Sequence, residues 1–170
     1  MPELPEVETV ARQLSPVLCG RRVRQTTLLD PRLGDPPVAR LRGHRVQRVF
    51  RLGKQVALEL ERQGQRCFMA VHLRMTGRLV WREGRRGVEG RHLRARVDLE
   101  GGRLLFYDAR RFGTLVVVQS QQEIAPAGID PLSPGLGPRV LVDLLHRSQQ
   151  PIKSWLLRQD RLVGLGNIYA

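Results

Sequence analysis

The chain has 170 residues, 41% of them apolar, which is enough to bury one core and predicts one domain or one domain plus part of another. Its 29 basic residues against 16 acidic ones leave a net charge of +13 and a pI near 11.5, so a polyanion is the expected partner, nucleic acid first and an anionic membrane surface second. No apolar run is long enough to span a bilayer and no signal-peptide pattern precedes the first predicted helix, which favours a cytoplasmic location without a membrane partner.

Cys19 and Cys67 stand apart without a CxxC pair, and His44, His72, His92 and His146 show no ligand spacing, so neither a disulfide framework nor a metal or other cofactor is predicted in this chain. Of the 29 basic residues only Lys54 and Lys153 are lysines. Either codon bias left two survivors, or these positions need a compact ammonium whose pKa can move.

In chain order, the opening MPELPEVETV comes first. A small second residue predicts removal of Met1, which frees the secondary amine of Pro2. An α-amino group titrates near ~7.7–8.0, so an appreciable neutral fraction could act as a covalent nucleophile. Glu3 and Glu6, if helical, share one face close to that amine. Read as pattern alone, proline followed by glutamates is also ordinary helix-start grammar. Residues 5–18 predict an amphipathic helix with Val7, Val10, Ala11 and Leu14 on one stripe, ended by Cys19 and Gly20.

A strand over 22–30 is stopped by Pro31, and the stretch to Pro37 is turn-rich. Alternating residues over 44–53 and 54–61 predict two strands, each with one wet and one dry face. Gly64 and Gln65 predict a hairpin into 66–73, followed by strands at 77–83, 91–100, 103–108 and 114–119, with Gly101 and Gly102 as a tight turn. Short strands with regular turn signals predict an antiparallel β-sandwich with the first helix packed on or beside it. Residues 119–138 then turn to proline, glycine and small residues and read as a linker, and 138–148 and 150–159 read as helices. The expected class is α+β: an N-terminal domain over 1–118, a linker over 119–138, and the start of an all-α domain over 139–170.

MPELPEVETV resembles the amino terminus of formamidopyrimidine-DNA glycosylases, with Leu4 where the endonuclease VIII branch usually has glycine. HLRMTG at 72–77 is similar to that family's HLGMSG-type turn, DARRFG at 108–113 to its DPRRFG, GRHLRARV at 90–97 to a KHxH-type strand entry, and GLGNIYA at 164–170 to its helix-two-turn-helix element. The matches run in family order over essentially the whole chain, with Arg74 and Ala109 departing from the small residue and the proline common in relatives.

The resemblance implies a bifunctional glycosylase and lyase acting on oxidised purines in damaged double-stranded DNA, as a monomer in the bacterial cytoplasm. Pro2 would be the nucleophile, Glu3 and Glu6 the acids beside it, and Lys54 a phosphate contact assisting proton transfer. Met75, Arg110 and Phe112 would fill the space left by an extruded nucleotide, with His72, His92, Arg111, Lys153 and Asn167 gripping DNA. Without that resemblance, Met75 reads as core filler, Lys54 as an edge lysine and His92 as an exposed histidine. The family normally continues through the helix-two-turn-helix element into a four-cysteine zinc finger, which leads to the expectation of a C-terminally truncated member. Two rival readings follow: a non-catalytic, non-specific DNA-binding remnant of the family, and a basic β domain of a ribonucleoprotein.

Overall fold

Leu4–Leu18 form helix α1, whose Leu4, Val7, Ala11, Leu14 and Leu18 recur at three- and four-residue steps and are all buried. Glu3 is its N-cap in an extended conformation, so Glu3 does not share a helical face with Glu6 as the spacing suggests. Instead the Glu6 carboxylate reaches back to accept the Glu3 backbone N–H at 2.9 Å. The computed structural model describes residues 1–84 and 86–170.

Eight strands follow: β1 (Val23–Leu28), β2 (Arg45–Leu52), β3 (Gln55–Arg62), β4 (Gln65–His72), β5 (Gly77–Glu83), β6 (Leu93–Leu99), β7 (Gly102–Asp108) and β8 (Thr114–Val118). They form two antiparallel sheets, in the orders β1-β6-β7-β5 and β2-β3-β4-β8. The inner faces and the apolar stripe of α1 share one core, from Val7 and Leu18 through Val56, Leu58 and Met69 to Val97 and Phe106. The α+β sandwich expected from the alternation is the fold, because a period of two lets each strand bury one face.

Four local readings are corrected. The β3–β4 turn is Gln63–Gly64, both at positive φ (53° and 80°), with Gln65 already paired to Arg62. The β6–β7 turn is Glu100–Gly101, while Gly102 lies in the strand, where a Cβ would stand 2.4 Å from the Arg82 carbonyl oxygen and 2.6 Å from the Trp81 ring. β3 has no wet face at its centre: Ala57 is buried with Phe68 and Ala70 under Ile124. The helix expected over 150–159 is only Ile152–Leu156 (α3), preceded by α2 (Pro138–His146).

The proline-rich stretch between sandwich and helices packs back on the strands. Arg51 of β2, its side chain only 5% exposed, donates to Glu8 of α1 at 2.9 Å and to Asp130 at 2.7 Å. Ile129 then exchanges backbone hydrogen bonds with Arg161 and Val163, at 2.8 and 3.0 Å. These contacts bring residues 161–170 to the same end of the sandwich as the start of α1, where the Leu4 N–H bonds the Gly164 carbonyl at 2.9 Å.

Candidate nucleic-acid interface and active site

One end of the sandwich gathers most of the residues singled out in the sequence. β2 finishes there at Leu52, β4 at His72 and β7 at Asp108, while β5, β6 and β8 begin there at Gly77, Leu93 and Thr114. The loops holding Lys54, Met75, His92 and Arg110–Phe112 therefore crowd together beside the N-terminus. Met1, Lys54, His72 and Arg74 line one small cavity of about 230 Å³ with Gln159 and Val163.

Glu3 is the buried centre of this end, with 0% exposure. Its carboxylate accepts the N–H groups of Gly166 at 2.6 Å and Ile168 at 3.0 Å. Two main-chain donors thus hold the acid in one orientation beside Pro2. A Cβ at Gly166 would stand 2.4 Å from the Glu3 Oε1, and one at Gly164, whose φ is +96°, would stand 2.8 Å from Leu4. Both glycines of GLGN are thereby required for packing against the amino terminus. Glu6 accepts the Tyr169 hydroxyl at 2.6 Å; that bond and the Glu3 amide hold its carboxyl below the usual range.

Lys54 sits in the tight turn after Gly53, whose φ is +60°. Partial burial pulls its ammonium below the ordinary lysine range, against the attraction of the Glu3 carboxylate. His72 is pushed down to about 4, first by burial and then by the positive charges of Arg74 and Lys54. Its Nδ1 accepts the Arg74 N–H at 3.1 Å, so the neutral ring carries its proton on Nε2.

The two apolar projections stand clear of the surface, Met75 at 41% and Phe112 at 49% exposure, so Met75 is not core filler. The Arg110 guanidinium lies over the Phe112 ring, 4.8 Å from its centroid. The segment between them is bent, with Arg111 at φ 61°, where extended geometry was expected. One buried carboxylate, Asp108, ties both loops together: it accepts the Thr76 hydroxyl and the N–H groups of Gly113 at 2.7 Å and Arg110 at 3.2 Å. Burial opposes the charge on Asp108, yet these bonds hold its carboxyl below the usual range.

A model of the formamidopyrimidine-DNA glycosylase N-terminal domain matches residues 1–115. The chain belongs to that family. The formamidopyrimidine-DNA glycosylase of Chloroflexus aurantiacus is 38% identical over 179 aligned residues, covering 100% of this chain and 63% of the relative. That of Symbiobacterium thermophilum is 41% identical, with 100% and 58% covered. A crystal structure of the Lactococcus lactis formamidopyrimidine-DNA glycosylase bound non-covalently to DNA containing an abasic site superposes with a TM-score of 0.84 at 29% identity, over 98% of this chain and 66% of that one. The chain thus spans somewhat under two thirds of the length of these curated relatives.

Not every residue expected from the glycosylase resemblance lies free at this surface. Arg111 is engaged by Asp30, donating from Nε to Oδ2 at 2.7 Å and from Nη2 to Oδ1. That pairing, with the Arg32 amide and Arg94 nearby, keeps the Asp30 carboxyl at about 2. His92 is exposed at φ 74°, and Lys153 and Asn167 are exposed on the helical side. Cys19 is exposed and Cys67 buried, and among the described residues no three or more His, Cys, Asp or Glu group together as metal ligands; the two cysteines do not fit the family's zinc finger. Sequence reading missed Asp108, Tyr169 and Gly166 as supporting residues. All three stand inside the family-like motifs, Asp108 in DARRFG and Gly166 and Tyr169 in GLGNIYA, so the signal was present without a role attached.

Proposed function

We propose that this chain carries the catalytic end of a DNA glycosylase and lyase that removes oxidised purines from duplex DNA. The observation that carries the reading is the placement of Glu3, fully buried and held by two amides beside the residue whose amine would become free on loss of Met1. The Lactococcus lactis relative, solved with abasic-site DNA and with Fapy-dG DNA, supports the substrate class.

In this reading Met75 and Phe112 enter the base stack and Arg110 faces the orphaned base, while arginines neutralise phosphate. The lone pair of the Pro2 nitrogen attacks C1′ of the extruded nucleotide. The glycosidic bond breaks, and the departing base takes a proton from solvent. The Glu3 carboxylate takes the N–H proton from Pro2 and delivers it to the ring oxygen as the C1′–O4′ bond breaks, which leaves an iminium between Pro2 and C1′ and a hydroxyl on C4′. Glu6 orients the amine through the shared turn, and Lys54, whose ammonium gives up its proton more readily for being partly buried, would contact phosphate and assist proton transfer. Successive eliminations then release the two flanking phosphates. His72, His92, Arg111, Lys153 and Asn167 would contribute DNA contacts around this centre, and the bacterial cytoplasm is where such chemistry would occur.

Borohydride added to the chain with 8-oxoguanine duplex should trap a covalent adduct that peptide mapping places on Pro2. Retention of Met1 by mass spectrometry, or an undiminished adduct from Pro2→Ala with a blocked terminus, would overturn the assignment. Equal binding to damaged and undamaged duplex with no adduct would instead make the chain a DNA-binding remnant.

A further inference from the structure

The charge on this molecule is not concentrated at the site end. β2 runs from Arg45 to Leu52, eight residues, so its start lies about 23 Å from the turn that holds Lys54. At that far end the edge strands β1 and β2 meet through an isolated bridge between Arg22 and Arg45. Two adjoining cavities open there, of about 770 and 700 Å³, and share Arg22, Arg42 and Gly43. Together they make one groove lined by Arg22, Arg24, Arg40, Arg42, Arg45 and Arg62, all exposed.

The carboxylates within this groove are already occupied. Asp98 accepts from Arg96 at 3.0 Å, Glu100 accepts the Arg22 N–H at 3.2 Å, and Glu61 accepts Gln47 at 3.2 Å and the Gly64 N–H. None of the six arginines forms an ion pair among the described residues. Two of them are braced by main chain: Arg45 donates to the Gly20 carbonyl, and Arg62 to that of Arg42 at 3.1 Å. The Arg62 guanidinium lies so close over Gly43 that a Cβ there would stand 3.1 Å from it.

None of the large exposed apolar side chains among the described residues lines the groove. A membrane-surface site of an interfacial helix draws much of its strength from inserted apolar side chains, and a protein interface is most apolar at its centre. Unpaired guanidinium forks with no apolar component suit phosphate oxygens. A duplex lying on Met75 and Phe112 could not also reach this end, because DNA resists bending over so short a distance.

We propose that the far-end arginine groove binds the phosphate backbone of a second duplex segment, separate from the one held at the site end. The test is native mass spectrometry and fluorescence anisotropy of the chain with undamaged 16-base-pair DNA. Two duplexes per chain are expected, falling to one in Arg22→Gln/Arg24→Gln/Arg42→Gln, and returning to two in the corresponding triple Lys variant. The glutamine variant should also lower the total salt slope by about 3, since each lost phosphate contact removes ~0.9. A single duplex on the native chain, or two duplexes on the glutamine variant with an unchanged circular dichroism spectrum, would overturn the proposal. So would loss of binding to phosphatidylglycerol vesicles with duplex stoichiometry unchanged. The glycosylase assignment is independent of this result, because adduct formation at Pro2 is read separately.

Discussion

Arg74 shows how one side chain can set both strain and charge at the site. It sits at φ 53°, in the left-handed region that costs most L-residues energy, and at the position where the family's turn usually carries a small residue. Its guanidinium is also the second cause, after burial, of the low His72 pKa. Arg74→Gly should therefore raise stability by about 0.5–1 kcal/mol, the relieved strain outweighing the entropy of glycine. It should also move the His72 titration, seen by NMR, upward from about 4. With a folded value of about 4 against an ordinary 6.5, the unfolded chain binds more protons between them, so the His72 contribution to stability rises with pH across that window and is lost as pH falls through it. A His72 titration that stays in place in the glycine variant would remove Arg74 as a cause.

At the scale of elements, the two projecting loops form a unit because Asp108 clamps them. Thr76 belongs to the turn between β4 and β5, and Gly113 and Arg110 to the turn between β7 and β8, yet all three donate to one carboxylate. Gly113 has no room to vary, since a Cβ there would lie 2.5 Å from the Phe106 ring. Asp108→Ala should cost ~2 kcal/mol in urea unfolding, because the buried Gly113 N–H loses its acceptor. The same variant should weaken binding to lesion duplex more than to undamaged duplex, as Met75 and Phe112 lose their shared support. An unchanged ratio would separate the clamp from recognition. Asp108 itself was readable as part of DARRFG, but its partner Thr76 lies 32 residues away, across a strand pairing that the motif does not contain.

Over the whole molecule, the amino terminus is finished by residues that lie 163 and 165 positions further along. Gly166→Ala should clash with the Glu3 carboxylate, lower stability by ~1–3 kcal/mol as overpacking does, and displace the acid from Pro2. Adduct formation should slow by roughly tenfold to a hundredfold, the usual penalty for a misplaced reacting group. An altered melting temperature with an unaltered adduct rate would make Gly166 purely structural. The helices of residues 138–156 are the least supported part: α2 buries none of its side chains, leaving Val140 and Val142 exposed, while α3 is anchored through Trp155.

By itself the sequence determined the sandwich and the α1 stripe, because period-two and period-3.6 burial and turn chemistry are local properties written in adjacent residues, whereas the projecting Met75 and Phe112 were legible only through the family resemblance of their motifs. The tertiary structure alone decided that Glu3 is a buried acceptor rather than a helical neighbour of Glu6, that Arg111 is bound to Asp30, and that the surplus arginine is divided between two opposite ends. Those outcomes depend on which distant groups the strand pairings bring within hydrogen-bond range, and no spacing along the chain encodes that.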